Sequence, residues 1–152
     1  MSKLQKNEWP ALAIPKMEPE VFELCYAVRD VSGAPMVPSP DPEAHVRYTD
    51  GNSLHCIGLD GSKKSEATDL FILNAIDVPN VWVQAQRVKA LGGFGIYFDT
   101  KLAGKTTTMI HVDLRNRRTL WLCPSEKKRR YVYYNADPVL FMNLLAKEFS
   151  KL

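Results

Sequence analysis

No stretch of about 18 consecutive apolar residues occurs anywhere in the chain, so the sequence offers no membrane-spanning helix. Cysteine is sparse: Cys25, Cys56 and Cys123 form an odd set with no CxxC or zinc-finger spacing. That pattern argues for reduced thiols rather than a disulfide framework. The first residues, Met1 to Trp9, are polar and lack the apolar core of a secretory signal, giving the expectation of synthesis in a cytoplasm without a signal peptide. Neither sign of charge dominates. A formal net charge of +3 over 152 residues is too mild for a dedicated nucleic-acid binder, which carries a strong basic face. Histidine is as scarce as cysteine, with three in the chain, and two of them fall in the segments richest in chemistry.

What remains is ordinary for a globular protein: 45% hydrophobic and 24% charged residues, at a length that fits one domain spanning residues 1–152. Residues 1–17, with Pro10 and Pro15 and little periodicity, read as an extended arm. From Glu18 to Val31, apolar Val21, Phe22, Leu24, Cys25 and Val28 recur at helical spacing, with Gly33 behind them as a stop signal. Prolines crowd positions 35–42, leaving room for a short edge strand at Ala34–Val37. Leu54–Leu59 and Glu66–Leu73 read as two strands joined through Asp60-Gly61, a hairpin signal. A helix over Val81–Leu91 follows, then strands at Phe94–Phe98 and Met109–Leu114 separated by a polar loop at Thr100–Thr108. A strand at Arg118–Leu122, a charged loop at Glu126–Arg130, a short strand at Tyr131–Tyr134 and a helix over Pro138–Lys151 complete the chain. Helices and mostly antiparallel strands in mixed order predict an α+β fold, a small sheet flanked by helices.

Two segments carry the chemistry. Ser53-Leu54-His55 runs on to Ala67-Thr68-Asp69-Leu70, and Ile110-His111-Val112-Asp113-Leu114-Arg115 follows later. Two histidines and an aspartate are a ligand set that catalytic zinc uses while keeping one position open. Symmetric pairing of the expected hairpin sets His55 across from Asp69, close enough for both to reach one ion. Strand alternation puts His111, Asp113 and Arg115 on one polar face, opposite Ile110, Val112 and Leu114. Cys56 then faces away from the site, and His45, in the preceding loop, reads as exposed.

At these residues the chain resembles the zinc D-alanyl-D-alanine carboxypeptidase and endolysin peptidase family, whose fold is shared with the hedgehog signalling domain. Ser53-x-His55 matches the first element of the family pattern, and Ala67-x-Asp69-Leu70 the second. Gly92-Gly93-Phe94-Gly95-Ile96-Tyr97 is similar to the glycine-rich strand before the third ligand. His111-Val112-Asp113-Leu114-Arg115 and Trp121 are similar to the last element with its downstream arginine and tryptophan. The similarity runs from about residue 18 to residue 122. It implies a hedgehog-type peptidase fold, Zn2+ held by His55, Asp69 and His111, and hydrolysis of peptidoglycan stem or cross-bridge peptides. It further implies a phage- or prophage-encoded lysis or virion protein that reaches the cell wall after release.

Three departures from the family pattern are visible. His and Asp lie fourteen positions apart rather than seven, so residues 57–65 read as a lengthened hairpin. The acidic proton acceptor found three residues before the third ligand is replaced by Thr108. Asp113 is the carboxylate left on that strand, to accept the proton or to orient His111. Arg47, for the arginine that relatives keep ahead of Ser-x-His, and Arg115 are the candidates for binding a substrate carboxylate. Two competing readings stand beside this one. One is a binding or structural module of the same fold whose chemistry is lost. The other is a partner-protein or nucleic-acid binder using the basic and aromatic run at 127–134.

Overall fold

The computed structural model describes residues 5–125 and 130–152 and shows an α+β architecture: a six-stranded mixed sheet with helices packed on one face. The first helix, α1, spans Pro19–Ser32. Proline at its first position is preset for a helix, and Gly33 ends it in the left-handed region (φ 64°), donating its N–H to the Arg29 carbonyl at 2.8 Å. Its apolar stripe, Val21, Phe22, Leu24, Cys25 and Val28, is fully buried. The segment before it is not an extended arm. Residues 6–8 and 14–16 form short 3₁₀ turns that bring Trp9, Ala13 and Met17 into the core, with the Trp9 ring edge-on to Phe22 at 5.0 Å. Burying an indole outweighs the weak local periodicity that made the segment look unstructured.

Strand β1 (Met36–Pro38) is an edge strand pairing antiparallel with β2 (Ala67–Ile72). Helix α2 covers Val78–Ala85, ending short of Leu91. Next come β3 (Gly93–Leu102), β4 (Lys105–Asp113), β5 (Thr119–Cys123), β6 (Val132–Tyr133) and helix α3 (Pro138–Phe149). The strand order is β1-β2-β4-β3-β5-β6, with β3 and β5 parallel and every other pair antiparallel. The expected loop at Thr100–Thr108 is largely strand. β3 and β4 continue to a two-residue turn in which Ala103 (φ 50°) and Gly104 (φ 81°) are both left-handed, as a type I′ hairpin requires. The hairpin expected around Asp60-Gly61 does not form. Leu54–Leu59 is not a strand; an isolated bridge between Arg47 and Cys56 and loop hydrogen bonds such as Glu66 N–H to the Leu54 carbonyl hold it.

Alternation decides what each face does. Leu70, Ile72, Ile110, Val112, Phe94, Ile96, Leu122 and Val132 join α1, α2 and α3 in one apolar core, with Trp82 of α2 stacked on Phe94 at 5.2 Å. The opposite face is left for the intervening residues. Across it the register forms one transverse row, Asp69–His111–Gly95–Trp121–Tyr133, running from β2 through β4, β3 and β5 to β6.

Candidate metal centre

Asp69 and His111 are directly opposed residues of β2 and β4, so two ladders fix their backbones. His55 comes from a loop clamped on both sides. The Arg47 N–H donates to the His55 carbonyl at 2.8 Å, the Glu66 N–H donates to the Leu54 carbonyl at 2.9 Å, and the Ile57 N–H returns to the Arg47 carbonyl at 3.0 Å. Closure at Leu54 and Glu66 makes residues 55–65 a loop, tied to Arg47 on one side and to residues 16–18 on the other. His55 therefore reaches the sheet from its rim, not from a strand facing Asp69.

The three side chains still converge. His55 Nε2 lies 3.0 Å from His111 Nδ1, His111 Nδ1 lies 3.0 Å from Asp69 Oδ1, and His55 Nε2 lies 3.7 Å from that same oxygen. Ligands about 2.0–2.1 Å from a tetrahedral zinc stand about 3.3 Å from one another, so the triangle has the right size for one ion. All three residues are buried, and the structure brings them close enough to hold a metal.

Protonation sharpens the point. Asp113 Oδ2 can only accept, so His111 Nε2, 3.0 Å away, carries the hydrogen and donates it. A neutral His111 then presents a lone pair at Nδ1 towards the Asp69 oxygen. Electron pairs aimed at one another at that distance need a positive charge between them, either a proton or a metal. Burial alone would lower the His111 pKa, but hydrogen bonds to Asp113 and Asp69 outweigh it and raise the pKa above the ordinary value. Burial would raise Asp69, yet the His111 hydrogen bond and the His55 and His111 charges hold it low. Burial drives His55 down to about 4, with Asp69 opposing and His111 adding to the fall. At neutral pH the cluster therefore offers a carboxylate and a neutral His55. The other nitrogen of His55, Nδ1, is buried without a hydrogen-bond partner among the described residues.

Asp113 has no exposed surface, and its oxygens are fully used. Gly93 N–H donates to Oδ1 at 2.6 Å, Arg115 N–H donates to Oδ1 at 3.1 Å, and the Arg115 guanidinium grips both oxygens, with Nη2 at 2.5 Å from Oδ2. Burial pushes its pKa up, but the His111 and Arg115 hydrogen bonds hold it well below the carboxylate range. A carboxylate so committed orients His111 and has no room to collect a proton from water. Arg115, a candidate for substrate, is likewise engaged: it holds Asp113 and lies 5.0 Å above the Trp121 ring. Two glycines make this arrangement possible. A Cβ on Gly93 would lie 2.2 Å from the Asp113 carboxylate, and one on Gly95 would lie 2.3 Å from the Trp121 indole. The latter gap lets Trp121 lie across β3 to meet His111 at 5.0 Å between ring centres and to donate to the Tyr97 hydroxyl at 3.1 Å.

The centre opens into a pocket of about 600 Å³ that also has Glu43, Arg47, Ser53, Tyr97 and Tyr133 in its wall. Arg47 is exposed at the rim with its Nε bonded to the Glu43 carbonyl at 2.9 Å. Thr108 is buried in β4. Glu43 is a pocket carboxylate that sequence reasoning missed, because nothing in Pro42-Glu43-Ala44 signals a site until the short 3₁₀ turn there is placed against β2. His45, expected to be exposed, is fully buried. Its Nε2 donates to the Ser39 carbonyl at 2.7 Å, so Nδ1 accepts the Thr68 hydroxyl at 2.5 Å, and Trp9 Nε1 donates to that hydroxyl at 3.2 Å. Burial lowers its pKa, consistent with a neutral structural residue that ties the 39–45 loop to the back of β2. Of the basic and aromatic run at 127–134, residues 127–129 lie outside the described residues, while Tyr131 and Tyr133 line the pocket. No helix among the described residues is long and apolar enough to cross a membrane. Comparison with protein-family models, with curated proteins and with solved structures finds no match to this chain.

Proposed function

We propose that this protein is a zinc-dependent peptidase of the hedgehog-type peptidase fold, acting on peptidoglycan stem peptides and borne by a phage or prophage. The observation that carries the reading is the meeting of His55 Nε2, His111 Nδ1 and Asp69 Oδ1 at 3.0–3.7 Å on the floor of an open pocket. Two imidazoles and one carboxylate suit zinc and leave a coordination position free. Zinc held there supplies Lewis acidity towards a peptide carbonyl and makes a nucleophilic water available near neutral pH.

The chain's own residues do the remainder. Asp113 keeps the proton on His111 Nε2, so that Nδ1 stays a ligand. Glu43 is the pocket carboxylate outside the ligand set and takes the role that Thr108 cannot, accepting a proton at its carboxylate and returning it to the leaving amine. Arg47, at the rim, binds a substrate carboxylate or carbonyl. Trp121 and Tyr97 exclude water behind His111.

The test is metal analysis of protein purified without chelators, joined to cleavage of purified cell-wall peptides. One zinc per chain and hydrolysis abolished by His111→Ala are expected. No zinc and no hydrolysis would overturn the reading. Full zinc occupancy without hydrolysis would instead favour a binding module of the same fold, the reading that the threonine at position 108 supports.

A further inference from the structure

We infer that the substrate runs past the metal ligands on both sides, so that the protein cuts within a linked peptide rather than trimming a terminal residue. This rests on the function proposed above. Asp69 stands at a waist between two hollows. The larger holds His55 and His111 and reaches Tyr131 and Tyr133; a second, of about 270 Å³, extends the other way to Asp41, Thr100 and Lys101. Glu43, Arg47, Asp69 and Met109 line both, so the two hollows adjoin at the Asp69 ligand.

Length argues the same way. From Asp69 on β2 to Tyr133 on β6 the transverse row crosses four inter-strand gaps, about 19 Å at roughly 4.8 Å each. An extended peptide covers that distance with about five or six residues. A terminal dipeptide would occupy a small part of it. Removal of a single end residue also needs a blocked hollow and a cation about one residue beyond the metal to hold the free carboxylate. Among the described residues neither end is blocked: Tyr131 and Tyr133 are 43% and 44% exposed at one mouth, and Asp41 and Lys101 are exposed at the other. Arg115 is bound to Asp113, Lys101 lines the smaller hollow away from the metal ligands, and Arg47 sits where the two hollows adjoin, placed to meet a carboxylate or a backbone carbonyl of a chain running through. The half-exposed phenol rings give the far part of the chain, or the sugar to which it is attached, an amphipathic surface.

The experiment offers the zinc-loaded protein two purified substrates, a cross-linked peptide dimer and an uncross-linked pentapeptide monomer, with products followed by mass spectrometry. The dimer should be split at least tenfold faster, with no free alanine released from the monomer. Tyr133→Ala should raise KM for the dimer several-fold with kcat largely kept, while Tyr133→Phe stays near the parent. Release of alanine from the monomer with the dimer uncut would overturn the two-sided cleft and leave the peptidase reading intact. An unchanged KM in Tyr133→Ala would overturn the assignment of the aromatic end. Cleavage of neither substrate would refute the peptidase reading and this inference with it.

Discussion

Replacing Asp113 by asparagine tests whether a residue that touches no substrate controls the metal centre. The carboxylate accepts from three directions: His111 Nε2–H, the Gly93 and Arg115 N–H groups, and the Arg115 guanidinium. An asparagine of the same shape has one acceptor oxygen. Placed towards His111, it turns an NH₂ on the Gly93 and Arg115 N–H groups, leaving buried donors unpaired at about 1–3 kcal/mol. Placed the other way, it forces His111 to move its proton to Nδ1, which closes the ligand nitrogen. The Arg115 guanidinium is about a third exposed, so water recovers part of the lost ion pair, and no more than about 1 kcal/mol is added for it. The expected cost is about 2–4 kcal/mol in urea denaturation of the metal-free protein. Losing such an orienting partner typically weakens metal binding 10- to 100-fold, about 1.4–2.7 kcal/mol. Zinc titration against a competing chelator measures the second quantity. An unchanged zinc affinity together with an unchanged denaturation midpoint would refute the argument that Asp113 holds His111 in its ligating tautomer.

Three further outcomes are expected. Glu43→Gln should lower kcat about 10²–10⁴-fold while zinc content stays at the parental value, and a kcat within a factor of two would remove Glu43 from the proton-transfer role. Gly95→Ala drives a methyl group against the Trp121 indole, so about 1–3 kcal/mol of stability should be lost along with a change in tryptophan emission; a parental melting curve would contradict the close approach. In chelator, pH separates His55 from its surroundings. Its folded pKa of about 4 lies below the ordinary value near 6.5, so the unfolded chain binds the extra proton. Its contribution to stability therefore declines as pH falls from about 6.5 towards 4, whereas His111, shifted upward, contributes in the opposite sense. His55→Gln should show a shallower loss of stability over that window than the parent, and parallel curves would count against the assignment.

Local signals described the elements well wherever they were strong and were read at the wrong place where they were weak. The stripe of Val21, Phe22, Leu24, Cys25 and Val28, closed by Gly33, specifies α1 because its period and stop need nothing beyond the chain itself. Turn chemistry misled. Asp60-Gly61 does turn, with Ser62 N–H donating to the Asp60 carboxylate at 3.0 Å, but among the described residues the segments flanking it pair only through isolated bridges at Cys56 and Ser65. The true hairpin turns at Ala103-Gly104, where a left-handed alanine is tolerated because long ladders of β3 and β4 enforce it. His45 carried no local mark of burial, since its place depends on Thr68 and Ser39 closing around both ring nitrogens.

What the sequence determined alone was which side chains could serve: two imidazoles, an aspartate, and a strand whose alternation puts His111, Asp113 and Arg115 on one face. That follows from strand geometry and ligand chemistry, which are local. Only the tertiary structure decided how they meet. Asp69 faces His111 across β2 and β4, His55 arrives from a clamped loop, and Gly93 and Gly95 clear the space in which Asp113 and Trp121 fix the ring. Those relations join residues up to 56 positions apart, and they are set by strand order and packing rather than by any preference of a neighbouring residue.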